Sequence, residues 1–120
     1  MWTYQQPDGH LLHDGALIGI GYSGFGVGKN NPLLEDHHDL GPVPRGNWTI
    51  TGVPFDSPEH GPYCLRLVPN AGTETFGRAG FLMHGDSIVL PGSASKGCVI
   101  MLHSVRIDVY SSGDKDLQVV

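Results

Sequence analysis

Short apolar runs, each interrupted within a few residues by Gly, Pro, Asn or Asp, follow one another along most of this chain. Apolar segments of this length, bounded by turn-forming residues, are typical of β-strands. Near the start of the chain, Pro7-Asp8-Gly9 and His13-Asp14-Gly15 are two such turns. The pattern predicts strands over residues 2–4, 11–12, 16–20, 47–51, 63–68, 80–84, 98–102 and 107–110.

Loops and short helices account for the remaining residues. Residues 21–47 are rich in Gly and Pro, and Arg45-Gly46 suits a tight turn into the strand at 47–51. Short helices are predicted near 32–38 and 93–97, with Ser93 or Ser95 as a possible cap of the second. The 18 Gly and 9 Pro in 120 residues agree with a mostly β fold that contains one or two short helices. The length indicates one domain, 1–120.

Charge and hydropathy exclude several kinds of partner. The chain has a net charge of −5 at pH 7. Nucleic acid and anionic membranes are bound by clustered Lys and Arg, so neither is expected as a partner of this acidic chain. No apolar run approaches the roughly 20 residues of a membrane span, and the first residues lack the pattern of a secretory signal. We therefore expect a chain that is made in the cytoplasm and does not insert into a membrane.

The segment from His84 to Cys98 carries the candidate chemistry. A thiol becomes a nucleophile when a base removes its proton, and imidazole is the usual base. Gly97 lets the backbone turn sharply before Cys98, which exposes the sulfur and leaves main-chain N–H groups free to face an oxyanion. With His84 as its partner, the Cys98 thiol is expected to have a pKa below the usual ~8.5. The alternative is a buried structural cysteine and a core histidine that never meet.

Other motifs in the chain are weaker. Cys64 is interpreted as a small core residue on a strand rather than as a disulfide partner of Cys98. Residues 19–24 fit the pattern G-x-G-x-x-G, but the residues after them cannot form the helix that dinucleotide binding needs. His37-His38 lies beside acidic residues without the usual zinc spacings, so no metal site is predicted.

Several parts of the chain resemble the L,D-transpeptidases, the cysteine enzymes of bacterial cell walls. These parts are His84-Gly85, the turn Ser95-Lys96-Gly97-Cys98, and the upstream turn and strand at 41–50. The chain is also similar to a narrower group of proteins. The similarity lies in two loops, Tyr22-Ser23-Gly24 and Asn30-Asn31-Pro32, and in the Asp that follows His84-Gly85. This group comprises the small L,D-transpeptidase-like effectors that bacteria inject into rivals through type VI secretion.

The chain departs from the family at two positions next to Cys98. Many members have His before the Gly-Cys pair and Arg or Asn two residues after the Cys, where this chain has Lys96 and Ile100. Ile100 can neither order the loop nor help to bind substrate, which counts against crosslinking more than against thiol chemistry. Lys96 keeps a positive charge beside the site, where it can favour a thiolate, meet a substrate carboxylate or face solvent without a role.

The resemblance implies a β-sandwich or barrel with a groove for a peptidoglycan stem peptide. Cys98 would attack the carbonyl between diaminopimelate and the terminal D-Ala, and His84 would take the thiol proton and then protonate the leaving amine. The oxyanion would bind the N–H groups of Gly97 and Cys98. Either Asp86 or the carbonyl of Gly85 would orient His84.

The resemblance also implies the supporting groups and the ligands. Ser95 would support the turn before the nucleophile by hydrogen bonding, and neither a metal nor an organic cofactor would be required. The residues expected to contact the substrate are Lys96, Tyr22, Ser23 and Gly85.

The same resemblance implies a product and a biological setting. If water hydrolyses the thioester, the protein is an L,D-carboxypeptidase. If a D-amino acid attacks the thioester, the terminal residue is exchanged, and if a neighbouring stem attacks it, a crosslink forms. An antibacterial effector would act in the periplasm of target bacteria, delivered by a component of the secretion machine and countered by a periplasmic immunity protein. The alternatives are a housekeeping transpeptidase that forms wall crosslinks and a non-catalytic domain that binds cell wall.

Overall fold

Nine β-strands, one α-helix and two short 3-10 turns make up the fold. The computed structural model describes the whole chain, residues 1–120. The 3-10 turns span Gly26–Gly28 and Pro32–Leu34, and the helix, α1, spans His103–Ser111. No helix has the length and hydropathy needed to cross a bilayer. The strands are β1 (Trp2–Tyr4), β2 (His10–His13), β3 (Ala16–Ile20), β4 (Tyr22–Ser23), β5 (Gly46–Ser57), β6 (Gly61–Pro69), β7 (Leu82–His84), β8 (Val99–Ile100) and β9 (Asp116–Val119).

All nine strands belong to one mixed sheet, in the order β3-β2-β1-β9-β5-β6-β7-β8-β4. The pairs β1–β9 and β7–β8 are parallel, and the other neighbours are antiparallel. The two ends of this order, β3 and β4, are separated along the chain by one residue, Gly21. Because consecutive Cα atoms are only ~3.8 Å apart, the sheet has to curl until its two ends come together.

Gly21 makes this close approach possible. Its N–H donates to the carbonyl oxygen of Gly9 at 2.8 Å. A Cβ at Gly21 would collide with the carbonyl oxygen of Ile100 on β8, and a Cβ at Gly9 would collide with the carbonyl oxygen of Gly21. Only glycine fits at this joint, because the backbones approach more closely than a side chain allows.

One hydrophobic core lies inside the curled sheet. Trp48 on β5 and Leu117 on β9 are in register opposite each other, and both are buried. The Trp48 indole N–H donates to the carbonyl oxygen of Pro44 at 3.0 Å, and its ring contacts Phe81 edge-on at 5.0 Å between centroids. Burying these side chains removes apolar surface from water, which is the main favourable contribution to folding. The cluster comprises Trp2, Tyr4, Leu11, Val43, Trp48, Ile50, Leu65, Leu67, Phe81, Met83, Val99, Met101, Val105, Val109, Leu117 and Val119.

The prediction of a mostly β fold is confirmed, and most predicted strands lie where they were expected. Residues 2–4 and 16–20 form β1 and β3 with the predicted bounds, and 47–51 lies inside the longer strand β5. The predicted helix at 32–38 is reduced to the 3-10 turn Pro32–Leu34. The predicted helix at 93–97 is wrong, because these residues form irregular backbone that bends at 96–97.

The predicted strand at 107–110 is also wrong, because these residues belong to α1. Its β-branched residues favour a strand locally. Val105 and Val109 nevertheless lie one helical turn apart, and both are buried in the core, while Ile107 between them is 40% exposed. Packing of that helical face against the sheet outweighs the local preference, as tertiary burial commonly does for short helices.

Candidate functional site

A groove of about 1050 Å³ runs past the carboxyl end of β7 and the start of β8. His84, the last residue of β7, and Cys98, just before β8, both line it. The two strands are parallel neighbours in which His84 pairs with Ile100. The fold therefore brings the two residues singled out in the sequence into one groove.

His84 is 1% exposed, and its two ring nitrogens have different surroundings. Nδ1 lies 2.8 Å from the carbonyl oxygen of Gly85. Because a carbonyl can only accept, Nδ1 carries the proton in the neutral ring and Nε2 has a free lone pair. Nε2 is enclosed and has no hydrogen-bond partner. Burial is the main cause that lowers the pKa of His84, so the neutral ring is favoured.

Cys98 is half-buried, and its sulfur lies beside the backbone of the residues that precede β7. The Sγ atom is 3.9 Å from the carbonyl oxygen of Gly80 and makes no hydrogen bond to His84. Burial raises the pKa of the Cys98 thiol, against smaller opposing effects of the Leu82 N–H and the Arg78 guanidinium. The expected low thiol pKa is therefore wrong for this resting state. A protonated thiol and a neutral imidazole face the same groove.

The turn before Cys98 is organised by the buried hydroxyl of Ser95. Its Oγ accepts from the N–H of Gly24 at 2.9 Å and of Gly97 at 3.1 Å, and donates to the carbonyl oxygen of Cys98 at 2.6 Å. Ser95 therefore supports this turn as expected, but through side-chain bonds within the turn rather than as a helix cap. Gly97 has φ +137°, a region that glycine adopts readily and other residues rarely do.

These bonds correct the expected set of oxyanion donors. The Gly97 N–H is committed to the buried Ser95 hydroxyl, so it does not face the groove as a free donor. The Cys98 N–H makes no hydrogen bond within the chain. Of the two predicted donors, only the Cys98 N–H remains available.

Ser23 is a structural residue rather than a substrate contact. It is 0% exposed and does not line the groove. Its hydroxyl donates to the carbonyl oxygen of Gly97 at 3.0 Å and accepts from the N–H of Val43 at 2.8 Å. Ser23 thus ties β4 to the Cys98 turn and to the loop before β5, which leaves no donor for a ligand.

Asp86 anchors a loop and does not orient His84. Its carboxylate accepts from the Tyr22 hydroxyl at 2.6 Å, from the Ser87 N–H at 2.8 Å and from the Gly92 N–H at 3.1 Å. Burial acts to raise the pKa of Asp86, but these hydrogen bonds together outweigh it, and the pKa is lowered. Of the two orienting partners left open by the sequence, the Gly85 carbonyl is the one that contacts His84.

The remaining residues expected to contact substrate lie at the groove. Tyr22 lines it, and its hydroxyl also accepts from the Ala94 N–H at 2.9 Å, so the ring bridges to the loop that Asp86 anchors. Burial and the bond to Asp86 raise the pKa of Tyr22 to about 12. Gly85 and the exposed Lys96 also line the groove. The charge that lowers the pKa of the thiol comes from Arg78 rather than from Lys96.

The groove also contains side chains that the sequence did not indicate as site residues, among them His60, Arg78 and Arg106. His60, at the tip of the β5–β6 hairpin, stacks on His84 with 4.4 Å between ring centroids. Arg78 and Arg106 are 7% and 4% exposed, and neither has a carboxylate partner. Nothing in the local sequence distinguishes these two from solvent-facing arginines, since their burial depends on strands far away along the chain.

Arg78 holds the Cys98 turn against the loop before β5. Its guanidinium donates to the carbonyl oxygens of Glu35, Pro42 and Gly41 at 2.6 to 2.8 Å, and to that of Lys96 at 3.2 Å. Each Nη atom thereby makes two hydrogen bonds to backbone. Arg78 is thus a positioning residue that fixes the backbone beside Cys98.

Other sequence motifs lie apart from this chemistry. Cys64 is a buried free thiol on β6, as predicted. The G-x-G-x-x-G residues are followed only by the turn Gly26–Gly28, so they open no helix for a dinucleotide. One other group of ligand-type side chains, His13, Asp14 and Asp114, lies away from the groove, and the amino group of Met1 pairs with both of its carboxylates.

Comparison with protein-family models, with curated proteins and with solved structures finds no match to this chain. Function is therefore inferred from the geometry of the groove and from the sequence motifs of the residues that line it.

Proposed function

We propose that the chain is a cysteine enzyme of the L,D-transpeptidase type that acts on peptidoglycan stem peptides. The observation that carries this proposal is the Nε2 atom of His84. It is an unprotonated ring nitrogen, enclosed and without a partner, in a groove that also contains a free thiol. A buried acceptor left unpaired costs folding free energy of about 1–3 kcal/mol. A base that has to accept a proton during catalysis accounts for that cost.

The proposed reaction begins with a protonated thiol and a neutral imidazole. Substrate binding brings Sγ of Cys98 and Nε2 of His84 together, and Nε2 takes the thiol proton as sulfur attacks the carbonyl carbon of diaminopimelate. The C–N bond to D-Ala then breaks, and the imidazolium returns the proton to the leaving amine. The products of this step are a thioester on Cys98 and free D-Ala. The Cys98 N–H is the donor to the oxyanion.

Water completes the proposed carboxypeptidase cycle. Neutral His84 takes a proton from water as the water oxygen attacks the thioester, the C–S bond breaks, and the proton returns to sulfur. A tripeptide stem leaves with a new carboxylate. A D-amino acid in place of water gives exchange by the same route, and a second stem gives a crosslink. Removal of terminal D-Ala deprives target cells of the tetrapeptide donors used for L,D-crosslinks.

The architecture supports the family resemblance in one respect. The mostly β fold, with a sheet that curls until Gly21 joins β3 to β4, agrees with the mostly β architecture that the resemblance implies. In this proposal, the segments 84–86 and 95–98 form one wall of a substrate groove. The biological role we propose is that of an antibacterial effector in the periplasm of target bacteria. It would be delivered by a secretion machine and blocked by an immunity protein.

Mass spectrometry of purified muropeptides after incubation with the protein tests this function. We expect tetrapeptide stems to decrease and tripeptide stems to increase by the same amount. Cys98→Ala should abolish the change, whereas Cys64→Ala, which removes the other thiol, should retain it. New dimers in place of tripeptides would favour the housekeeping crosslinking enzyme. Unchanged muropeptides with the folded wild-type protein would favour the domain that only binds cell wall.

A further inference from the structure

Arg106 is a buried cation whose guanidinium is satisfied on one side only. Nε donates to the carbonyl oxygen of Met101 at 3.1 Å, and Nη1 donates to those of Pro62 at 2.7 Å and Tyr63 at 2.9 Å. Nη2 makes no hydrogen bond, and no carboxylate of the chain pairs with the side chain. Burial lowers the pKa of Arg106, as expected for a cation without a counter-ion.

Arg106 lines the groove, and its free Nη2 atom lies next to the backbone of Gly85. A Cβ placed on Gly85, the residue after His84, would be 2.8 Å from Nη2. A side chain at position 85 would therefore collide with the guanidinium, and only glycine leaves Nη2 where it lies. The charge of Arg106 also acts on His84 and contributes to lowering the pKa of that ring.

We propose that Arg106 binds the terminal carboxylate of the stem peptide, an inference that rests on the function proposed above. In that reaction His84 protonates the leaving nitrogen of D-Ala, and the D-Ala carboxylate is attached to the carbon next to that nitrogen. A group that binds the carboxylate has to lie beside His84, as Nη2 of Arg106 does. A carboxylate supplies the anion that the buried guanidinium lacks.

The other two cations of the groove fit this role less well. Both Nη atoms of Arg78 are already committed to backbone carbonyls. Lys96 is exposed, so its ammonium remains solvated and gains less from an anionic ligand. Recognition by Arg106 makes the enzyme selective for stems with a free C-terminus, which an amidated or extended stem does not provide.

Alkylation of Cys98 tests the anion site without requiring turnover. In a Cys64→Ala background, the rate of Cys98 alkylation is measured at one pH with iodoacetate, which carries a carboxylate, and with iodoacetamide, which is neutral. Dividing the first rate by the second cancels differences in thiolate content. We expect this ratio to fall about tenfold or more in Arg106→Gln, the factor that corresponds to a charge-assisted hydrogen bond. Gly85→Ala retains the charge of Arg106 but places a Cβ 2.8 Å from Nη2, closer than two such atoms can approach, so the guanidinium has to shift and the ratio should fall as well.

Gly85→Ala decides the result if Arg106→Gln does not fold. An unchanged ratio in folded Gly85→Ala, or in folded Arg106→Gln, would overturn the anion site. The matched control is Lys96→Gln, which removes an exposed charge of the same groove and should retain most of the wild-type ratio. A loss in Lys96→Gln equal to that in Arg106→Gln would assign the effect to general groove charge and would also overturn the proposal.

A pair of peptides separates failure of this inference from failure of the proposed function. The tetrapeptide with a free terminal carboxylate should be cleaved with a kcat/KM about tenfold or more above that of its C-terminal amide, mainly through KM. Equal kcat/KM for the two would overturn the role of Arg106 and leave the proposed function intact. No cleavage of either peptide by wild-type protein would overturn the proposed function, and with it the stem peptide as the ligand of Arg106.

Discussion

The imidazole rings of His60 and His84 stack face to face, with their centroids 4.4 Å apart and 28° between their planes. His60 lies at the tip of the β5–β6 hairpin, so this long hairpin covers a ring carried by β7. Burial is the largest cause that lowers the pKa of His84, and the charge of His60 contributes in the same direction. The hairpin tip therefore helps to keep His84 neutral, which is the form that a general base requires.

Substitution of His60 should raise the pKa of His84. His60→Phe keeps an aromatic ring over His84 but removes the charge, and His60→Ala removes both. Since burial contributes more than charge, we expect a larger rise in the alanine variant than in the phenylalanine variant. NMR titration of the His84 ring protons measures both values. Equal pKa values in wild type and His60→Ala would show that the stack does not control this ring.

The lowered pKa of His84 also predicts how stability depends on pH. The unfolded chain binds a proton near the ordinary histidine pKa of ~6.5, whereas folded His84 binds it only at lower pH. The free energy of unfolding should therefore fall as pH decreases below about 6.5 and level off once folded His84 is protonated. His84→Asn retains an N–H that can reach the Gly85 carbonyl but cannot titrate, so its stability should fall less steeply.

Denaturant unfolding of wild type and His84→Asn between about pH 7 and 4.5 measures this difference in how the free energy of unfolding changes with pH. Carboxylates with ordinary pKa values near 4 titrate mostly below that pH range, so they contribute little to the difference. Glu35, Asp86 and Asp114, whose pKa values are lowered, contribute stability that is lost at still lower pH, equally in both proteins. Parallel curves for the two proteins would contradict a lowered His84 pKa.

The sequence predicted the strands that have apolar runs between turn residues, and it missed those that do not. β9 has only four residues, of which Leu117 and Val119 are buried, so the alternation of buried and exposed positions is too short to be recognised in the sequence. It nevertheless occupies the middle of the sheet, between β1 and β5. β4 has two residues, lies at the end of the sheet and pairs there with β8 alone. Such strands depend on pairing across the fold rather than on local pattern.

Only those residues of the candidate site that are recognisable by their own side-chain chemistry could be predicted from the sequence. His84 and Cys98 stand out in the sequence as a candidate base and a candidate nucleophile, and the fold places them in one groove. The partners of Ser95 and Ser23 come from distant loops, and a hydroxyl in a sequence does not show which backbone groups it will meet. The same applies to Arg106, whose buried position depends on carbonyls of β6 and of the residues before α1.

Ser95→Ala should destabilise the protein by about 1–3 kcal/mol, because it leaves buried N–H groups without a partner. The groups affected are the N–H of Gly24 and of Gly97, both of which bind the Ser95 hydroxyl. Ser93→Ala is the matched control, because Ser93 lies two positions away in the same loop and its hydroxyl bonds only locally, to the Leu90 carbonyl. Chemical denaturation measures both. A loss of stability in Ser93→Ala equal to that in Ser95→Ala would contradict the assigned role.

Cys98 should behave as a protonated thiol in the free protein, because burial raises its pKa. In a Cys64→Ala background, the rate of alkylation by iodoacetamide should rise with pH through a midpoint above the ordinary ~8.5. His84→Asn should change this midpoint little, since no bond joins the two side chains at rest, yet it should abolish muropeptide turnover. A midpoint near neutral pH that moves upward in His84→Asn would show a preformed thiolate–imidazolium pair instead.

Directing the chain to the periplasm should make it toxic to bacteria through Cys98. Fused to a cleavable signal peptide, the wild-type chain is expected to cause swelling or lysis, preceded by a rise in tripeptide stems. The unfused chain should be harmless, because peptidoglycan lies outside the inner membrane. Cys64→Ala, with the same loss of one thiol, should remain toxic, whereas Cys98→Ala should not. Growth curves together with muropeptide profiles from the same cultures decide the outcome. Toxicity that persists in Cys98→Ala, or that appears equally from the cytoplasm, would contradict an effector that trims stem peptides.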